Sequence, residues 1–242
     1  MTGKAHQSKL KIIKNFWYGF ISIIYPSTCK ICDNELPENI NHICPLCTDD
    51  FQYTYFEKYK EPTPADEIFY GRVEIENVFS LLFFKKEGAT QKILHKIKYQ
   101  NEKDLAVFMG ENIGRKIMGD DRFEDIDALV PIPLHSKKKF IRGFNQSLKI
   151  STGISKKIKA PIVELIKRNK HHASQTKKDK FERWDNVANI FDVNKVAFNN
   201  HKHIALVDDV LTTGSTLEAA AKTLKRYDPK IKISVITLAF VE

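Results

Sequence analysis

The sequence predicts an α/β fold: a twisted, mainly parallel sheet with helices on both faces, preceded by a small cysteine-bearing module. Three observations lead there. The stretch HIALVDDVLTTGSTLEAAAKTLK, His203 to Lys225, runs from a short apolar segment through two carboxylates and a hydroxyl-rich turn into strong helix formers. Other short apolar segments, Val78–Phe84, Asp127–Leu134, Val163–Ile166 and Ile231–Phe240, are separated by stretches of helical character, as buried parallel strands are. All four cysteines fall within residues 29–47.

Taken in order, residues 1–9 are polar and read as a disordered terminus. Leu10–Tyr25 reads as a helix whose Ile12, Ile13, Phe16, Trp17, Phe20, Ile23 and Ile24 form one apolar stripe. Such a stripe packs on the domain behind it; contact with a membrane surface is the alternative. Cys29-x2-Cys32 and Cys44-x2-Cys47, separated by eleven residues, can bring four thiolates around a tetrahedral Zn²⁺. A closed site of four cysteines has no open coordination position, so its role is structural. Four unmetallated thiols or two redox pairs are the other readings. Residues 48–75, with Pro62 and Pro64, read as a connector, and the domain boundary is expected at residue 60: a helix and zinc-knuckle module over 1–60, then the α/β domain over 61–242.

Val78–Phe84 is the first strand, and helices are predicted over Ala89–Tyr99 and Asp104–Met118. Asp127–Leu134 is a second strand whose prolines suggest a fixed turn at its end. The basic loop after it, His135 to Gln146, leads into a helix from Ser147. Arg142 can grip phosphate oxygens bidentately and Lys137, Lys138 and Lys139 can act as point charges, so this loop suits a pyrophosphate. A solvated surface loop explains the lysines equally well. Asn145 and Gln146 can cap the helix or touch a ligand. Asn169–Asn189 is polar and charged, and reads as a long mobile loop able to close over a site.

The chemistry concentrates at 208–216. Asp208 and Asp209 are expected where their strand ends. Gly214 allows a tight turn, and the N–H groups opening the next helix, aided by the hydroxyls of Thr212, Thr213, Ser215 and Thr216, form a phosphate cradle. The carboxylates can accept from vicinal ribose hydroxyls, directly or through Mg²⁺. The ligand suggested is a ribose 5-phosphate. A β–α turn without ligand is the bland alternative.

Composition bounds the rest. The chain has 242 residues, 42% of them hydrophobic and 29% charged, with net charge +9. That length suits one α/β domain with a small appendage, and the charge fits phosphate-rich or nucleic-acid partners, or equally a solvated lysine-rich surface or a basic proteome. No apolar run is long enough for a membrane-spanning helix, and Phe16–Tyr25 lacks a signal-peptide cleavage site, so a cytoplasmic protein is expected.

VDDVLTTGST resembles the phosphoribosyl pyrophosphate (PRPP) loop of the type I phosphoribosyltransferases. Together with the four-cysteine knuckle, LVPIPLH, RGFNQ and the segment SQ…RWDNV…F, it resembles the ComF family of competence-associated phosphoribosyltransferase-like proteins, from about Leu10 to Phe240. The resemblance implies a type I phosphoribosyltransferase fold, a structural zinc site, PRPP with Mg²⁺ as ligand, and a cytoplasmic role in DNA uptake during natural transformation beside the uptake helicase. It assigns Asp208 and Asp209 to the ribose and to catalysis, and Thr212, Thr213, Gly214, Ser215 and Thr216 to the 5-phosphate. The pyrophosphate loop is Lys139, Arg142, Gly143, Asn145 and Gln146, and the mobile-loop positions are Gln175, Arg183 and Asn186. Two functions follow: transfer of phosphoribosyl to a nitrogen acceptor, or a PRPP-sensing module that binds single-stranded DNA through basic loops and aromatics such as Phe181 and Trp184. A third reading has the knuckle and first helix dock a partner protein.

Overall fold

A computed structural model describes residues 27–169, 190–198 and 201–242. The helix expected over Leu10–Tyr25 lies outside the described residues. The chain forms two compact units, 1–50 and 51–242.

The described part of the first unit is a cysteine knuckle. The N–H of Cys29 donates to Asn34 O at 2.7 Å and that of Asp33 to Cys29 O at 2.9 Å, while Thr28 pairs with Glu35 across an antiparallel bridge. The N–H of Lys30 reaches His42 O at 2.7 Å, which draws the second CxxC onto the first. Helix α1, Pro45–Asp49, opens with proline at a position where no N–H is needed.

The second unit is built on four parallel strands. They are β1 (Val78–Phe83), β2 (Ala128–Pro131), β5 (His203–Leu211) and β6 (Lys232–Phe240), in the order β1-β6-β5-β2. The register runs from His203 opposite Lys232 to Leu211 opposite Phe240. These strands are almost wholly buried, which explains their continuous apolar character. Residues 161–163 add a single parallel bridge, Ile162 to Leu129, on the outer edge of β2.

The helices are α2 (Pro64–Glu67), α3 (Ala89–Tyr99), α4 (Lys103–Ile117), α5 (Ser136–Arg142), α6 (Gln146–Ile158) and α7 (Ser215–Tyr227). Helices α4 and α6 touch backbone to backbone. A Cβ on Gly110 would stand 2.1 Å from Ile150 O, and one on Gly153 would stand 2.0 Å from Val107 O. This close approach seats α6 against β5 and β2, and so fixes the start of α6 beside the carboxyl end of β5.

The expected architecture holds, with four local differences. Asp208 and Asp209 lie within β5 rather than past its end, because β6 runs alongside as far as Phe240 and keeps the pairing alive. The basic loop contains α5, a helix with no buried side chain, capped where His135 Nδ1 accepts from the Lys137 N–H at 3.3 Å. The strand expected at Val163–Ile166 is displaced to β3, Ile166–Arg168, which pairs antiparallel with β4, Phe191–Val193, outside the main sheet. Finally, residues 51–60 pack into the second unit: Tyr53 bridges to Leu82, and the Phe56 ring meets Phe83 edge to face and Phe240 at a tilt.

Candidate functional site

The site forms at the carboxyl ends of the parallel strands. Asp208 and Asp209 are successive residues of β5, so their side chains leave opposite faces of the strand. Ser147 Oγ, in the first turn of α6, donates to Asp208 Oδ1 at 2.9 Å, and the Asp209 N–H donates to the same oxygen at 2.8 Å. Asp209 Oδ2 pairs with Lys98 Nζ at 3.1 Å, from the last turn of α3.

Burial, reinforced by repulsion from Asp209, pushes the Asp208 carboxyl up to about 7; the Asp209 N–H, the Ser147 hydroxyl and the Lys98 charge only partly offset this. Arg168, at the end of β3, lies within electrostatic reach. Burial lowers its affinity for its proton while the Asp208 charge works against that. Two neighbouring carboxylates in environments this different mark a candidate functional site.

The cradle follows directly. Gly214 has φ of 69°, which admits glycine without strain, and α7 begins at Ser215 with no side chain capping it. Thr213 Oγ1 and Ser215 Oγ lie 3.0 Å apart; Thr212, Thr213 and Ser215 are exposed, and Thr216 is half-buried. The open first turn of a thirteen-residue helix offers backbone donors and a positive dipole end to an anion.

The stretch read as a connector braces this turn. Arg72 Nη1 donates to Thr213 O at 2.7 Å and to Ile68 O at 2.9 Å, while its Nε donates to Glu218 Oε2 at 3.0 Å. Ile68 and Phe69 press on Gly214 so closely that a Cβ there would fall 2.7 Å from Ile68 Cγ2. Nothing local marks Arg72, since Thr213 and Glu218 are 141 and 146 positions away.

On the other flank, Arg142 ends α5. Its Nη1 donates to Gln146 Oε1 at 3.0 Å and its guanidinium lies over the Tyr99 ring at 5.8 Å. Gly143 closes α5 by donating its N–H to Lys139 O at 2.9 Å. Asn145 is a cap: Oδ1 accepts from the Ser147 N–H at 3.0 Å and Nδ2 donates to Ile132 O at 3.0 Å. Gln146 is buried, with Nε2 donating to Phe144 O at 3.3 Å. Lys139 is exposed on α5. The expected residues thus divide into a cation, Arg142, and its scaffold, Gln146 and Asn145. Gln175, Arg183 and Asn186, with Phe181 and Trp184, lie outside the described residues.

A separate cleft of about 690 Å³ is lined by residues including Lys60, Asp66, Tyr70 and Arg122. Its Arg122 is paired within the fold to Asp120 at 2.8 Å. It offers no comparable constellation.

Residues 145–241 match the phosphoribosyl transferase domain family. That stretch, from α6 to β6, is the part of the chain that resembles a phosphoribosyl transferase domain. It is 36% identical over 103 residues to competence protein F of Haemophilus influenzae, a match covering 41% of this chain and 44% of that protein. The match therefore spans less than half of that relative's length. Competence protein ComFC of Bacillus subtilis is 25% identical over 87% of this chain and 82% of its own. DNA utilization protein YhgH of Escherichia coli is 26% identical over 55% of this chain and 60% of its own. The resemblance to the ComF family read from the motifs is borne out by these relatives and by the domain match over residues 145–241.

In the knuckle, the sulfurs of Cys29, Cys32, Cys44 and Cys47 all lie within 4.8 Å of one another. Cys32 Sγ and Cys44 Sγ are 3.8 Å apart. Tetrahedral thiolates at the usual Zn–S distance stand about 3.8 Å apart, so the set fits zinc. The N–H groups of Ile31 and Cys44 both point at Cys29 Sγ from 3.4 Å. Burial raises the Cys29 thiol, but the N–H groups of Cys32, Cys44 and Ile31 outweigh it and hold the thiol at about 6. That favours the thiolate that metal binding needs. No helix among the described residues is long and apolar enough to cross a membrane.

Proposed function

We propose that the chain binds PRPP with Mg²⁺ at the carboxyl edge of its sheet and transfers the phosphoribosyl group to a nitrogen acceptor. One observation carries this reading: a carboxylate pair, an open helix N-terminus a short turn further on, and an arginine held over a tyrosine ring converge on one end of the sheet. A ribose 5-phosphate spans such a layout, with vicinal hydroxyls on the carboxylates and phosphate in the cradle.

In this account Thr212, Thr213, Ser215 and Thr216 hold the 5-phosphate with the first-turn N–H groups of α7. Asp208 and Asp209 accept from the ribose hydroxyls. As the anomeric C–O bond to pyrophosphate breaks, positive charge grows on the sugar, and the carboxylates stabilise it. Arg142 receives the departing pyrophosphate, its direction set by Gln146 and Tyr99. Mg²⁺ bound with PRPP would neutralise pyrophosphate oxygens. Zinc in the knuckle is structural and takes no part.

A second reading is binding of single-stranded DNA, and α5 is the observation that favours it. Lys137, Lys138 and Lys139 are exposed beside Phe140, which is 91% exposed. Cations beside an unpartnered ring suit a phosphate backbone and a stacked base. The chain's relatives among competence and DNA utilization proteins agree with a role in DNA uptake. Calorimetric titration with PRPP and Mg²⁺ tests the first reading. Single-stranded DNA titrations at several salt concentrations test the second, where Lys137→Gln/Lys138→Gln should flatten the salt slope.

A further inference from the structure

The last turn of α3 carries two side chains that no motif assigned to the site. Lys98 Nζ stands 3.1 Å from Asp209 Oδ2, and the Lys98 side chain is 21% exposed. Its neighbour Tyr99 is exposed and lies under Arg142, with the His95 ring 5.0 Å away. The end of α3 thus reaches from the carboxylate pair to the arginine. Lys98 stands between the groups that would hold the ribose and the group that would hold the pyrophosphate.

We propose that Lys98 is a ligand-binding residue of the PRPP site, whose ammonium pairs with Asp209 in the ligand-free protein and transfers to the pyrophosphate when PRPP binds. The inference rests on the PRPP reading above. Chemistry supports it in three ways. A ribose hydroxyl competes with Lys98 for the Asp209 carboxylate, so ligand entry weakens the pair. The ammonium sits on a flexible four-carbon stem and can turn towards a new anion without moving α3. Pyrophosphate brings several negative oxygens to a place where the ammonium previously had one carboxylate, so the exchange is downhill for Lys98. Lys98 is the side chain ion-paired to the acidic pair among the described residues. Its side chain is partly exposed and so is not sealed in the interior.

The experiment compares two ligands on the full-length, zinc-loaded protein: PRPP and ribose 5-phosphate, each with Mg²⁺, by calorimetry. Ribose 5-phosphate has the sugar and the 5-phosphate but no pyrophosphate. Lys98→Met is expected to weaken PRPP about tenfold, the loss of one charge-assisted contact, and to leave ribose 5-phosphate unchanged or a few-fold tighter. Lys98→Arg should restore most of the PRPP affinity. Lys98→Gln, which keeps a polar head, should behave as Lys98→Met does and guards against a folding defect, checked by the unfolding midpoint. Equal weakening of both ligands would make Lys98 a brace for Asp209 and overturn the proposal. Equal strengthening would make it only a competitor, and no change a spectator; either overturns it too. If the wild type binds neither ligand, the PRPP reading itself falls, an outcome distinct from a wild type that binds both while the variants fail to discriminate.

Discussion

Asp208→Asn should make the ligand-free protein more stable at alkaline pH while removing its ability to bind PRPP. The Asp208 carboxyl is displaced from 3.8 to about 7, by burial first and by Asp209 second. The unfolded chain loses this proton near pH 4, whereas the native protein keeps it until about 7. Between those values the native state binds more protons, so stability falls as pH rises, and above about 7 the whole penalty is present. Fully felt, a displacement of that size is about 4 kcal/mol. Asp208 is only half-buried, so water at the mouth screens it and a gain of about 1–2 kcal/mol is expected. Asparagine retains an oxygen for the Ser147 hydroxyl and the Asp209 N–H, so the variant loses little else. Urea unfolding followed by circular dichroism at about pH 5.5, 7 and 8.5, without ligand, reads the effect. The variant's advantage should grow between the first two of these pH values and level off above. A variant less stable than wild type at the most alkaline pH, or a difference that does not change with pH, would refute the assignment of Asp208 as a strained site carboxyl.

The braces of the cradle can be tested separately. Gly214→Ala places a methyl group 2.7 Å from Ile68 Cγ2 at a φ of 69°, and should cost about 1–3 kcal/mol of stability, read by thermal unfolding; a cost below about 0.5 kcal/mol would mean the turn is not held as described. Arg72→Met removes the contacts to Thr213 O and Glu218 and should destabilise by about 1–3 kcal/mol while weakening PRPP; unaltered affinity would show that the cradle needs no brace. Cys44→Ser should abolish the binding of one zinc per chain, measured by release to a colorimetric chelator, and an unchanged zinc content would exclude the four-cysteine site.

The periodic elements were legible because their signals are local. The apolar spacing of Ala89–Tyr99 gives α3 with both ends as expected, and α4 falls within one residue of its predicted span. The order strand, carboxylates, cradle, helix was equally plain, because the residues that make a phosphate site there are consecutive. The differences arise where the deciding partner is distant. β5 continues through the acidic pair because β6 accompanies it, and nothing in VDDVL announces how long its neighbour is. β3 depends on β4, which lies beyond a polar stretch. Arg72 and Lys98 became site residues through partners far along the chain, at Thr213 and Asp209. In the sequence, Lys98 is one of several lysines on α3, and only the fold singles it out.

The most direct test of the central claim is a calorimetric titration of the zinc-loaded protein with PRPP and Mg²⁺, run beside an Asp208→Asn/Asp209→Asn control whose fold is verified by its unfolding midpoint. Saturable binding of one PRPP per chain, lost in the control, is the predicted result. Wild-type protein that does not bind PRPP, or a control that binds it as well as wild type does, would contradict the account.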